Sequence, residues 1–119
     1  EFLKNEIIPS AGQGTIAIQC RKDDKSTIQL LKKISHEETT IMVKAEREVL
    51  KVLDGDCETA VGVISEINGD RIYLSGELFS IDGNRRYFYE TSYSIIESIK
   101  AGNEVGKKLK EKSKGDYKI

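Results

Sequence analysis

At 119 residues, 38% hydrophobic and 33% charged, the chain has the make-up of one ordinary domain able to bury a core without staples. A formal net charge of -1 removes any global pull toward nucleic acid or an anionic membrane, the longest apolar runs are too short for a membrane span, and no charged-then-apolar signal segment opens the chain. Two cysteines, Cys20 and Cys57, lack C-x-x-C spacing and fall short of a disulfide framework, which favours a reducing, cytoplasmic setting.

The chain starts at Glu1 rather than Met, and its first elements read as cut from a larger protein. An extended lead-in reaches the flexible joint Ser10-Ala11-Gly12-Gln13-Gly14, and a strand follows in which Ile16, Ile18 and Cys20 share one face. Free cysteine behaves as a small buried hydrophobe, so Cys20 is expected in a core. A lone strand cannot bury such a face, and the sequence after Arg21 offers it no sheet partner.

From Asp23 the pattern turns helical. Capping-type residues and acids open the segment, lysines close it, and Ile28, Leu31 and Ile34 fall on one face. Ser35-His36-Glu37-Glu38 then matches the S-x-x-E capping box of a second helix, in which Met42, Ala45, Val49 and Val52 recur at three- and four-residue steps until Gly55. Three strands follow over 61–67, 71–80 and 85–91, separated by Asn68-Gly69-Asp70 and Asp82-Gly83-Asn84, with Ile72, Leu74 and Leu78 alternating against Tyr73, Ser75 and Glu77. A last helix places Ile95, Ile99, Val105 and Leu109 at helical spacing, with Gly102 and Gly106 where it presses on a neighbour and Gly115 as its stop. The order predicts an α+β domain: a three-stranded antiparallel sheet with helices packed on one face, preceded by a hinge and an orphan strand.

Chemistry concentrates on Leu53-Asp54-Gly55-Asp56-Cys57-Glu58. A thiol that attacks as a thiolate needs cations or a helix N-terminus, and Cys57 has acids around it and a helix C-terminus before it. It is either an incidental loop thiol or one whose work does not need a resting thiolate. A calcium loop is excluded, because Thr59 stands where glycine is required and Ser65 where glutamate is. The lone histidine, His36, suits a helix start better than a Cys-His dyad, and Cys and His are too few for a structural zinc site, so no metal is expected. Gly12-Gln13-Gly14 precedes a strand instead of following one, which fits a hinge and not a phosphate turn. The lysines at 107, 108, 110, 112 and 114 read as a solvated, dipole-complementary helix face.

Taken together, Gly12-Gln13-Gly14-Thr15-Ile16-Ala17-Ile18-Gln19-Cys20-Arg21, His36-Glu37-Glu38-Thr39, Lys44-Ala45-Glu46-Arg47-Glu48-Val49-Leu50 and Leu53 to Gly62 resemble, in order and spacing, the C-terminal part of the porphobilinogen deaminase (hydroxymethylbilane synthase) family. The resemblance runs essentially end to end. It implies that Cys57 anchors a dipyrromethane cofactor through a thioether, so that acidic neighbours are tolerable once the bond is made. It also implies a transferase of tetrapyrrole (heme) biosynthesis that joins four porphobilinogen units to the primer, releasing ammonia, and hydrolyses off hydroxymethylbilane. On this reading residues 1–22 are the hinge and last strand of an otherwise absent α/β domain, and 23–119 form the cofactor-anchoring domain. Gln13 and Gly14 match the family's hinge beside the cleft, where they approach the cofactor. The catalytic groups lie upstream, so the isolated chain is expected to be inactive and without cofactor. The full-length enzyme is expected to be a monomer, while this chain can self-associate through its orphan strand.

Two departures stand out. Asp56 replaces the second glycine of the family's Gly-Gly-Cys, and Ala60 replaces a proline three residues after the cysteine. The first restricts the backbone and the second loosens it, but neither removes the attachment atom. Two other readings remain. Helix, three strands and a lysine-rich helix also describe a double-stranded RNA-binding domain, though there the lysines start the last helix and here they crowd its second half. The other is a protein-interaction module in which Cys57 is accidental.

Overall fold

The computed structural model describes residues 6–55 and 58–118. Three α-helices and one antiparallel sheet follow in the order α1 (Lys25–Ile34), α2 (Glu37–Leu53), β1 (Val61–Asn68), β2 (Arg71–Phe79), β3 (Arg86–Ser94) and α3 (Ser98–Ser113), with a 3-10 turn at Ile95–Glu97 leading into α3. The sheet is a meander, β1-β2-β3, with Asn68 opposite Arg71 across a two-residue hairpin and Arg71 opposite Ser94 on its other side. This is the expected α+β architecture.

The core forms where the period-two face of β2 meets two helices. Ile72, Leu74 and Leu78 are buried against Ala45, Val49 and Leu53 of α2 and Ala101, Val105 and Leu109 of α3. Helices α2 and α3 lie close because α3 presents glycine to α2: a Cβ on Gly102 would collide with the Ala45 carbonyl, and one on Gly106 would stand 2.6 Å from Val52 Cβ. That close approach is what the two glycines were expected to serve. Beyond α3, Lys114 takes the left-handed conformation at φ 51°, and Tyr117 folds back to 2% exposure.

Several local expectations need correction. The cap of α2 is His36, not Ser35; its Nδ1 accepts from the Thr39 N–H at 3.2 Å, while the Ser35 hydroxyl lies 3.3 Å from that of Thr40. Left-handed backbone at the end of α2 falls on Asp54, φ 51°, instead of Gly55, which is pressed on its Cβ side by Thr59. In the last helix Ile95 sits in the 3-10 turn and Ile99 is 46% exposed, because the stripe facing the core is Ala101, Val105 and Leu109. Residues 15–20 pair with no strand among the described residues, and Ile16 is 89% exposed. Cys20 is accordingly half-buried and not a core residue. Helix α1, capped by the Asp24 carboxylate at the Thr27 N–H (3.0 Å), buries none of its residues.

Candidate functional site

The site is built at the C-terminal end of α2. Asp54 N–H closes the helix on Leu50 O at 3.0 Å, which leaves the last carbonyls without helical partners. They are met by the end of the chain: Lys110 Nζ donates to Val52 O (3.3 Å), the Tyr117 hydroxyl to Leu53 O (2.6 Å) and Lys118 Nζ to Asp54 O (3.4 Å). Cys57 and Asp56 lie outside the described residues. On the far side of the loop, Phe79 N–H donates to Ala60 O at 3.0 Å, so the chain re-enters the sheet through a fixed carbonyl. Gly55 and Thr59, at the two ends of the loop, share a small cavity of about 250 Å³ with Leu50, Leu53, Val61 and the hinge residues Ser10 and Ala11.

The segment expected to be a hinge is held by its first half only. Pro9 O accepts from Val63 N–H at 2.8 Å, alongside β1, and Ile8 N–H donates to Glu77 Oε1 at 3.4 Å. Gly12 N–H donates to Glu46 Oε2 at 2.7 Å, and the other oxygen of Glu46 accepts from Ser65 N–H (3.0 Å) and the Ser65 hydroxyl (2.5 Å). Glu46 is 8% exposed, so this carboxylate ties hinge, helix and strand together in a place where an unmet charge would be costly. The chain then turns through Gly12 and Gly14, φ 72° and 80°, with Thr15 N–H donating to Gly12 O at 3.1 Å. Gln13 and Gly14 open onto a groove of about 970 Å³ between the arm and helices α1 and α2, lined also by Ile16, Leu31, His36 and Met42. The structure thus sets Ser10 and Ala11 against the base of the loop and directs Gln13 and Gly14 to the groove.

The lysines of the run lie on an exposed face of α3, as expected, and three of them engage neighbouring groups. Lys110 is spent on Val52 O, Lys112 Nζ donates to Phe88 O at 2.7 Å and lies 5.4 Å from the Tyr89 ring centroid, and Lys108 pairs with Glu111 at 3.2 Å. A second carboxylate, Glu104, accepts from the hydroxyls of Tyr89 (2.7 Å), Thr91 (3.1 Å) and Tyr93. Those tyrosine hydrogen bonds hold the Glu104 pKa below the usual carboxylate value, and the same bonds raise both phenols.

Sequence reasoning missed Glu46 and Tyr117. The first left a signal: Met42, Glu46, Val49 and Leu53 fall at steps of four, three and four, so an acid occupies the apolar stripe. Tyr117 left none, since it follows the helix stop.

A family model described as porphobilinogen deaminase, C-terminal domain, matches residues 40–114. The chain belongs to that family. Among curated relatives it is similar to porphobilinogen deaminase of Prochlorococcus marinus subsp. pastoris, 38% identical over 115 residues covering 96% of this chain and 35% of the relative. It is also similar to those of Nitrobacter hamburgensis, 35% identical over 109 residues (92% and 34%), and Desulforamulus reducens, 34% over 102 residues (86% and 33%). The chain spans about a third of the length of these porphobilinogen deaminase relatives. No helix among the described residues is long and apolar enough to cross a membrane.

Proposed function

We propose that this chain is the cofactor-anchoring C-terminal part of a hydroxymethylbilane synthase, with residues 1–22 returning from an upstream domain and 23–119 forming the anchor domain. The observation that carries the reading is membership of the porphobilinogen deaminase C-terminal family over a stretch that includes Cys57. Cys57 Sγ is the attachment atom: its thiol proton would be lost once, as the sulfur–carbon bond of the thioether forms and the pyrrole's methylene carbon gives up its leaving group, ammonia from an aminomethyl pyrrole or water from a hydroxymethyl one. When bound, the dipyrromethane supplies the primer to which four porphobilinogen units are joined with release of ammonia, before hydroxymethylbilane is hydrolysed off.

The donor set around the loop fits a tether and not a complete cradle. Asp54 and Glu58 flank it, the cavity at its base is lined largely by apolar residues, and Lys110 and Lys118 are engaged on helix carbonyls. Cations for the carboxylates of porphobilinogen and of the growing chain therefore fall to the upstream domains, as do the catalytic groups. Gln13 and Gly14 approach the cofactor only where the groove and the upstream cleft are continuous. Engagement of Lys110 and Lys112 on backbone carbonyls also argues against the RNA-binding alternative, which needs those lysines on phosphate.

Intact mass of the full-length protein, with peptide mapping across Leu50 to Gly62, tests the assignment. An adduct on Cys57 that turns red-violet with an aldehyde pyrrole reagent is the expected result, and Cys57→Ser should abolish it. A full-length protein whose Cys57 is unmodified and freely alkylated would overturn the anchor role.

A further inference from the structure

The two edges of the sheet are finished differently. Ile95 N–H donates to Asp70 O at 2.9 Å and Ser80 N–H to Arg85 O at 3.0 Å, so the odd-numbered residues of β3 turn their backbone groups toward β2. Alternate residues of an antiparallel strand face opposite ways, which leaves Arg86, Phe88, Glu90 and Ser92 with theirs pointing outward. On β1 the same alternation sends Val63 and Ser65 outward, and both N–H groups are taken within the chain, by Pro9 O at 2.8 Å and by Glu46 Oε1 at 3.0 Å. No backbone segment among the described residues does this for β3. Two of its outward carbonyls are instead covered by long cations. Lys112 Nζ reaches from α3 to Phe88 O at 2.7 Å, and Arg71 Nη2 donates to Ser92 O at 3.0 Å and to the Ser92 hydroxyl at 2.9 Å. Both cations are exposed, and the N–H groups of Phe88 and Glu90 have no partner among the described residues.

We infer that the β3 edge is a self-association surface held closed: it fits β3 of a second copy, antiparallel about a twofold axis at Phe88, and Lys112 and Arg71 keep the copies apart. An edge strand with unpaired backbone groups is a template for another chain. Strand β3 is well suited to such pairing, since Arg86–Ser94 holds three tyrosines, a phenylalanine and a threonine, with neither proline nor glycine. The partner is a second copy because the edge is complementary to itself. Pairing about Phe88 sets Arg86 of each copy opposite Glu90 of the other, on the face away from the helices, where opposite charges across a strand pair attract. Glu90 is exposed and has no ion pair among the described residues, while Arg86, on Glu77 at 2.7 Å and 5.3 Å from the Phe88 ring centroid, keeps its side chain half exposed. A register centred on Glu90 would instead set two glutamates together. The cations oppose pairing in two ways. Each occupies a carbonyl that the joined ladder needs, and the two copies of Lys112, held at Phe88 O, would be brought together beside the axis, where like charges repel.

Sedimentation equilibrium of the full-length protein over a wide range of concentration is the test. The parent should stay monomeric. Lys112→Met/Arg71→Met keeps the apolar stems and frees two carbonyls per copy, so it should dimerise at least about tenfold more tightly than the parent, at an unchanged melting temperature. Adding Glu90→Lys should return that variant to monomer, because lysine then faces Arg86. Residues 15–20 do not confuse the readout, since Glu90→Lys acts on β3 alone. Should the double variant melt early, Lys112→Met by itself carries the test, with a weaker dimer that Glu90→Lys again removes. A variant without its cations that remains monomeric, a dimer indifferent to Glu90→Lys, or a parent that dimerises as tightly as the variant would each overturn the closed edge.

Discussion

The two ends of the chain contain similar proportions of aliphatic residues and use them in opposite ways. From α2 onward, Val49, Leu74, Val105 and Leu109 are wholly buried in a helix-on-sheet core. Before α2, Ile16, Ile18, Leu30 and Ile34 are all more than half exposed, and α1 buries nothing. The boundary between the two regimes runs through the hinge, where residues 8–12 are strapped to β1, Glu46 and Glu77 and the residues after Gly14 are not. Apolar patterning therefore marks a face that needs a partner, while the fold decides whether the partner is within the same stretch of chain.

Truncating the same kind of side chain on either side should expose the contrast. Leu74 lies at 0% exposure in the middle strand, between α2 and α3, where the surrounding helices cannot collapse into a void. Leu74→Ala should cost about 3 kcal/mol, a large part of the stability of a domain this size, read as a lower urea midpoint at unchanged slope.

A smaller effect belongs to the polar tie between α3 and β3. Glu104 accepts three hydroxyls, and its folded-state pKa is depressed first by Tyr89 and then by Tyr93. For a depressed carboxylate, the stabilisation is present above the unfolded-state pKa and is lost as pH falls through the folded-state value. Glu104→Gln should lower stability by about 1 kcal/mol at neutral pH and flatten the urea midpoint against pH below the usual glutamate range. A variant as acid-sensitive as the parent would assign that sensitivity to other carboxylates, such as Asp82, whose hydrogen bonds from Ser80 and Asn84 bring its pKa to about 2.

Much of this was legible beforehand because it is periodic. The alternation in β2, the helical stripe of α2 and the turn residues at Gly69 and Gly83 each follow from backbone geometry acting over a few residues, and the meander follows from them. What was not legible depends on contacts between distant residues. Tyr117 meets Leu53 across 64 positions and Glu46 meets Gly12 across 34, so neither bond has a local signature. Cys20 illustrates the converse, since its alternating pattern was read as a strand face and yet residues 15–20 form no strand and find no pairing partner among the described residues. The family came from the order of separated motifs, because no single residue type around Cys57 points to it.

The smallest expected effect on stability lies in that unpaired segment, and it sharpens the comparison most. Because Ile16 and Ile18 are 89% and 59% exposed, Ile16→Lys/Ile18→Lys removes no packing and should change stability by less than about 0.5 kcal/mol. Association is another matter. An extended apolar segment with unpaired backbone is a template for strand exchange between copies, and lysine on an edge suppresses such pairing. The 119-residue chain should therefore sediment with increasing apparent mass as its concentration rises, and the double lysine variant should stay monomeric throughout. Monomer alone in both chains would mean that residues 15–20 are not sticky when unpaired, and that their alternation serves only contacts made within the longer protein.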